Sequence, residues 1–397
     1  MLFRSHLSIS AALPIGMGMW KISAALALLC AGAVASRAAV GSPIVVLRSV
    51  AITAESIPAN GIVESNETIT CAIELQNAGP RHGTNITATL LGGNGITPIT
   101  PVQNYGDLPT NGAPVTREFT FTVTTPVGRA AQAQLVVKSD TNEIGRDVFD
   151  VPVGDNVTTY THWQTINIPG DLNASIGPAG EYPSTISVSN LNGTITGVRV
   201  TLHNYAHEFP EDVNALLISP LGTNVMLMSD CGGGSLITNV NLTFDSGVTN
   251  PLVTLGEIYS ATYSATDYNA PNVMEAPAPT TPPYNTSLSQ FKRTNPNGDW
   301  KLFLYDARPF DVGVLRGGWS LTLTIVKPPR LFVRDNGDGR ARLTLSGSGL
   351  RAFLIDYSTN LVDWQVFGQT PASADTATFF DAYAGPRRFY RARRTTP

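Results

Sequence analysis

The chain has 397 residues, of which only 14% are charged, with a formal net charge of -4, 36 glycines and 28 prolines. That length is too great for one small core and implies two or three domains, and the small net charge, with no long block of one sign, points away from nucleic acid and anionic membranes as partners. Short apolar runs punctuated by Gly, Pro, Thr, Asn and Ser point to secreted all-β modules and away from a helical enzyme.

Residues 1–38 read as a secretory signal peptide. Lys21 precedes an apolar run from Ile22 to Val34, and the small residues around Ala33, Ala35 and Ala38 supply a cleavage site near Ala35 or Ala38. The stretch before Met17 and Met19 is unusual for the n-region of a signal peptide, which leaves the starting methionine open. Cys30 follows Leu29, where a lipoprotein site needs a small residue. No later segment reaches the roughly 18 apolar residues of a transmembrane helix, so a secreted or cell-surface location is expected. After cleavage Cys71 and Cys231 remain, in different expected domains, and read as two separate buried thiols.

From residue 44 to 153 strands alternate with turns. In Thr68 to Leu75 the side chains of Ile69, Cys71, Ile73 and Leu75 point one way while Thr68, Thr70 and Glu74 face water. Turn signals stand at Asn77 to Gly79 and at Asn111 and Gly112. Several strands at this spacing predict an immunoglobulin-like sandwich, and the run Glu67 to Gly79 followed by Asn85 to Leu90 resembles the CARDB-type Ig-like repeats of bacterial surface proteins.

A linker near Gly154 to Asn156 leads to residues 160–326. Here Val198, Val200 and Leu202 alternate with Arg199, Thr201 and His203. Leu302 and Leu304 continue the face begun by Trp300, and Trp319, Leu321, Leu323 and Ile325 oppose Ser320, Thr322 and Thr324. The Pro-rich stretch Tyr259 to Asn285 reads as a long surface loop, of the kind that is often functional or mobile. Lys327 to Pro329 is a rigid break, and residues 330–397 read as a small C-terminal β module. That module resembles one found on large secreted bacterial proteins through Ser358 to Trp364 and Arg387 to Ala392.

An ordered series in the middle segment carries a further resemblance: Val198 to His203, Asp212, Ser219 to Thr223, Gly232 to Gly234, Thr243 to Asp245, Leu288 to Phe291, Asn297-Gly-Asp-Trp300, Asp306, Asp311-Val-Gly313 and Trp319 to Leu323. The segment resembles the P domain (Homo B domain) that follows the catalytic domain in subtilisin-like proprotein convertases and in many secreted bacterial proteases. The resemblance implies a jelly-roll or β-barrel-like fold, calcium as a bound ion, and association with serine endopeptidases and proteolysis. Carried over residue by residue, its calcium ligands would be Asp212, Asp306 and Asp311, with Asp245 as a fourth. The other reading of each Asp is a turn cap bonded to its own backbone. The chain departs from the family at Glu208 to Glu211, which widens a tight turn, and in the length of the loop from Val248 to Asn285.

Catalytic patterns are missing. None of the three sequence contexts of a subtilisin-type Asp, His and Ser is present. His203 and His207 have the spacing of a helical zinc pair but lie on an expected strand and turn. Asp335 to Gly339 reads as a hairpin turn, since it lacks the spaced ligands and distal Glu of a calcium loop. Arg387, Arg388, Arg391, Arg393 and Arg394 form a basic tail that either touches an anionic envelope polymer or alternates along a solvated strand.

Three functions stay open. One is a secreted noncatalytic binding and stabilising module for a protein or cell-envelope polysaccharide. Another is an accessory partner of a secreted subtilisin-like serine endopeptidase. The third is a carboxylate-dependent hydrolase.

Overall fold

The computed structural model describes residues 42–57, 59–269, 272, 274–347, 353–370, 376–382 and 387–394. The expected signal peptide lies outside them. Among the described residues the fold is all-β and is built of paired sheets, none closed into a barrel.

The first sandwich runs through β1 (Val45–Glu55), β2 (Glu67–Asn77), β3 (Gly83–Leu90), β4 (Ile96–Pro98), β5 (Val102–Leu108), β6 (Val115–Val123), β7 (Arg129–Ser139) and β8 (Asn142–Val153). One sheet has the order β1-β2-β6-β4 and the other β5-β3-β7-β8, every pairing antiparallel. The period-two pattern of β2 puts Ile69, Cys71, Ile73 and Leu75 in the core beside Phe119, Phe121 and Leu135. Asn77 closes the following turn: its Oδ1 accepts from Ile44 and Gly79 N–H, and its Nδ2 donates to the Arg81 and Leu108 carbonyls. A buried amide satisfied this fully fixes the turn without a desolvation penalty.

The second sandwich comprises β9 (Val157–His162), β10 (Ile166–Ile168), β11 (Gly177–Pro178), β12 (Ser184–Val188), β13 (Thr194–His207), β14 (Val213–Ile218), β15 (Asn224–Ser229), β16 (Ile237–Asp245), β17 (Ala261–Tyr263), β18 (Thr266–Asp267), β19 (Gly298–Asp306), β20 (Gly313–Leu315) and β21 (Trp319–Val326). One sheet is built on β13, which pairs with β16, β20 and β21, and β21 pairs in turn with β9. The other is built on β19 and β14. Val198, Val200, Leu202, Trp300, Leu302, Leu304, Trp319, Leu321 and Leu323 meet between them as the alternation predicts. Each such buried apolar side chain contributes roughly 1.5–3 kcal/mol.

The Pro-rich stretch Tyr259 to Asn285 differs from the expected surface loop. It supplies β17 and β18, both paired in parallel, and lays Met274, Ala278 and Tyr284 over Leu216, Met226 and Phe303 on the outer face of the β14 and β19 sheet. Because that face is apolar, the stretch serves as its cover.

The last sheets hold β22 (Arg330–Asp335), β23 (Ala341–Ser346), β24 (Phe353–Ser358), β25 (Gln365–Gln369), β26 (Thr376–Asp381) and β27 (Phe389–Arg394) around Leu343, Leu345, Phe353 and Ile355. Asp335 to Gly339 is the hairpin turn between β22 and β23. Three arginines of the basic tail are engaged by acids within the module. Arg388 grips Asp381 at 2.6 and 2.8 Å, and Arg391 and Arg393 share the buried Asp356 at 3.1 and 2.7 Å.

Candidate functional site

Strand β13 organises both places where charge is concentrated. A regular strand would turn His203 and His207 to the same face, but Asn204 takes a left-handed conformation (φ 52°) and shifts the register with β16. This bulge points residues 203 and 204 outward and returns Tyr205 and His207 to the interior. Gly317 lies against it, where a Cβ would strike the Asn204 and His203 side chains. The two histidines therefore take different partners and cannot form a zinc pair.

At the inner end, His207 Nδ1 accepts from Phe209 N–H at 3.1 Å, which leaves the ring proton on Nε2, donated to Asp306 Oδ2 at 3.2 Å. Both side chains are fully buried. Asp306 Oδ1 accepts from Arg308 N–H at 3.3 Å, and Arg308 Nε reaches Asp212 Oδ1 at 3.5 Å. Asp212 ends the 3₁₀ turn Pro210–Asp212, immediately before β14. Burial lifts its carboxyl to about 6, helped by Asp311 and Asp306 and opposed by Arg308 and His207. Burial and the neighbouring Glu208 also push Asp311 upward. The Tyr205 hydroxyl and Asp212 Oδ1 are buried without a hydrogen-bond partner among the described residues.

The structure thus gathers Asp212, Asp306 and Asp311 at one end of the sandwich but not Asp245. Asp245 pairs with Arg199 toward the other end of β13, on the order of 25 Å away at ~3.3 Å per residue. Among the described residues no three acidic, histidine or cysteine groups converge to hold a metal ion. The cation facing Asp212 is Arg308, and Asp306 is occupied by His207 and a backbone N–H. This donor set does not fit a resident calcium ion, which takes six to eight oxygens.

The outer face of β13 shows what the sequence did not. The alternation set Arg199, Thr201 and His203 opposite the core side chains without naming what covers them. They lie under β8 of the first sandwich, in a seam where hydrogen-bonded and charged groups meet beside the apolar side chains of Val50, Phe149, Val151 and Trp163. Arg199 bridges Asp150 at 3.1 Å and Asp245 at 2.8 Å, and Thr322 Oγ1 donates to Asp150 at 2.7 Å. Asn204 Nδ2 donates to Asp147 at 2.6 Å and to Asn239 at 2.9 Å, and Asn241 Nδ2 donates to the Arg146 carbonyl at 2.7 Å. On the other flank Arg48 Nη1 donates to the carbonyls of Trp163 and Arg316 at 2.8 and 2.9 Å. Burial raises Asp147 to about 7, with Asn204 and Arg48 pulling the other way.

Within the seam lies a chamber of about 170 Å³ lined by Trp163, His203, Ser320 and Asp150 among others. His203 Nε2 and Ser320 Oγ are 2.9 Å apart there. Burial lowers His203 to about 3, so it is too weak a base to activate a serine near neutral pH. Beyond the seam the two sandwiches part into an open cleft of about 670 Å³, bounded by Arg129, Thr196, Asp245, Lys292 and Thr324.

Sequence reasoning passed over Asp147, Asp150, Arg48, Arg129 and Lys292. The polar stripe Arg199, Thr201 and His203 was the one available signal for the seam.

No protein-family model matches the chain, and a search of curated proteins finds no match. Among solved structures the serine protease of Aeromonas sobria, alone and in complex with the chaperone, aligns with a TM-score of 0.22 and 16% identity over 44% of this chain and 28% of the matched chain. The aligned part is thus far less than two thirds of that protein. A likeness at this level carries no argument about fold or activity. No helix among the described residues is long and apolar enough to cross a membrane.

Proposed function

We propose that the chain is a secreted, noncatalytic binding protein in which two β-sandwiches, locked together by the polar seam, present a shared surface to a ligand. The single observation that carries this reading is the Arg199 bridge. Asp150, with a side chain only 3% exposed, and Asp245 come from different sandwiches and are held by one guanidinium. Fixed orientation lowers the ordering cost of binding across two modules. The same fold leaves His203, His207 and Asp306 where a base or nucleophile is least useful. His207 and Asp306 are sealed from solvent and His203 is confined to the seam. A carboxylate hydrolase would need two accessible acids flanking a substrate, and Asp306 is fully buried. The test is hydrolysis of casein and of polysaccharides by the purified mature chain. None is expected, and casein cleavage blocked by a serine-directed inhibitor would overturn the reading.

One observation favours a second reading, that of an accessory partner to a separate serine endopeptidase, in keeping with the P-domain resemblance of residues 160–326. Phe310 is 87% exposed on a left-handed backbone (φ 95°), and its N–H donates to Ser175 Oγ, near exposed Leu172 and Ile176. Strain that holds an aromatic ring in water suits a protein contact. Immobilised chain should then retain an extracellular protease that the Phe310→Ser variant does not. Equal retention by the variant would sink this second reading.

A further inference from the structure

We infer that the cleft between the sandwiches is a binding site for an acidic polysaccharide, its carboxylate or sulfate groups held by Arg129 and Lys292. The inference rests on the binding-protein reading and names its site and ligand class. Arg129 begins β7 on the first sandwich, and Lys292 follows the 3₁₀ turn Leu288–Phe291 on the second. Both line the same cleft of about 670 Å³. Neither makes an ion pair or hydrogen bond through its side chain among the described residues, whereas Arg199 between them is already taken by Asp150 and Asp245. Two cations without counter-charges, facing one concave surface, raise the local concentration of an anion and leave their donors free for it.

The rest of the lining selects the kind of anion. Hydroxyls of Thr125, Thr196 and Thr324 and the carboxylate of Asp245 offer donors and acceptors suited to sugar hydroxyls. Peptides are read through pockets for alternate side chains, through free strand edges or, when acidic, through clusters of arginines, and here Arg129 is joined only by a lysine and by an arginine already paired to Asp150 and Asp245. The lining holds few apolar groups and no aromatic ring. An acidic glycan matches this inventory better than an acidic peptide. The arginines of the C-terminal strand were the sequence's candidates for such a polymer, but Asp356 and Asp381 already occupy three of them.

The test is affinity electrophoresis and titration calorimetry of the mature chain with alginate, dextran sulfate, neutral dextran and polyglutamate at low salt. Alginate and dextran sulfate distinguish carboxylate from sulfate. The chain should bind at least one of them, ignore dextran and bind polyglutamate at least tenfold more weakly. The paired substitution Arg129→Glu and Lys292→Glu, at positions where surface changes leave stability nearly unaltered, should weaken polysaccharide binding at least tenfold with an unchanged melting temperature. Several outcomes would overturn the inference: no binding of either anionic polysaccharide, equal binding of polyglutamate, or full binding by the charge-reversed variant. Binding that survives charge reversal would leave the binding-protein reading intact and remove only the cleft. Shortening of the bound polymer, with the variant inactive, would keep the cleft and overturn the noncatalytic reading.

Discussion

The two faces of the β13 sheet hold the molecule together by opposite means. Inward, Val200, Leu202, Trp319 and Leu321 are wholly or almost wholly buried and meet Trp300 and Leu302 in a dry core. Outward, Arg199 and Thr322 meet Asp150, Asn204 meets Asp147 and Asn241 meets the Arg146 carbonyl, through hydrogen bonds and an ion pair. Apolar contact is nondirectional and tolerates sliding, whereas the seam's bonds are made at one relative placement of the sandwiches. The core therefore supplies most of the stability, and the seam supplies orientation.

The largest effect expected from this contrast comes from the core. Trp300→Ala removes a fully buried ring, edge-on to Phe291, and should cost about 3–5 kcal/mol in urea unfolding. A loss below about 1 kcal/mol would show that the second sandwich draws little from this core. Next, Arg199→Ala leaves Asp150 and Asp245 without their cation and should cost roughly 3 kcal/mol. Its distinctive signature is loss of cooperativity: calorimetry should show one transition for both sandwiches in the parent and two in the variant. A parent that already shows two would break the comparison.

A smaller effect follows from Asp147. Burial raises its carboxyl from 3.8 to about 7, so in the folded state it keeps its proton where the unfolded chain has lost it. The favourable contribution is complete below about pH 4 and is lost as pH rises through about 7. Asp147→Asn can still accept the Asn204 bond and should flatten this part of the stability profile, making the protein relatively more stable at pH 8. An unchanged profile would mean that Asp147 is solvated or paired when charged. The smallest effect concerns metal. With Arg308 beside Asp212 and no converging acids among the described residues, the melting temperature should stay within about a degree whether calcium or a chelator is added. A rise of several degrees with calcium would restore the ion that the sequence resemblance implied.

Much of the inner architecture was legible in the sequence because period two and side-chain polarity change together. Ile69 to Leu75, Val198 to Leu202 and Trp319 to Ile325 could be assigned to a core from spacing alone. The outer face was not legible. A stripe of Arg, Thr and His looks the same whether it meets water or another polar sheet, and nothing local to Arg199 names Asp150. The bulge at Asn204 was also hidden, since a single left-handed residue leaves no period to read, yet it decides where His203 and His207 point. Of the four predicted acids, Asp212, Asp306 and Asp311 meet because strand ends bring them together. Asp245 separates from them because antiparallel pairing with Arg199 carries it along β13. Arg129 and Lys292 are isolated in sequence and become neighbours of one cleft only after the sandwiches dock.

The central claim, that the seam fixes the two sandwiches as one body, is tested most directly by a pulsed electron-resonance distance. Spin labels would sit on Thr116→Cys and Lys301→Cys, both exposed positions. Cys71 and Cys231 are buried free thiols pushed up to about 12 and should not react with the label. A single narrow distance distribution that broadens in Arg199→Ala is predicted. A distribution already broad in the parent would contradict the account.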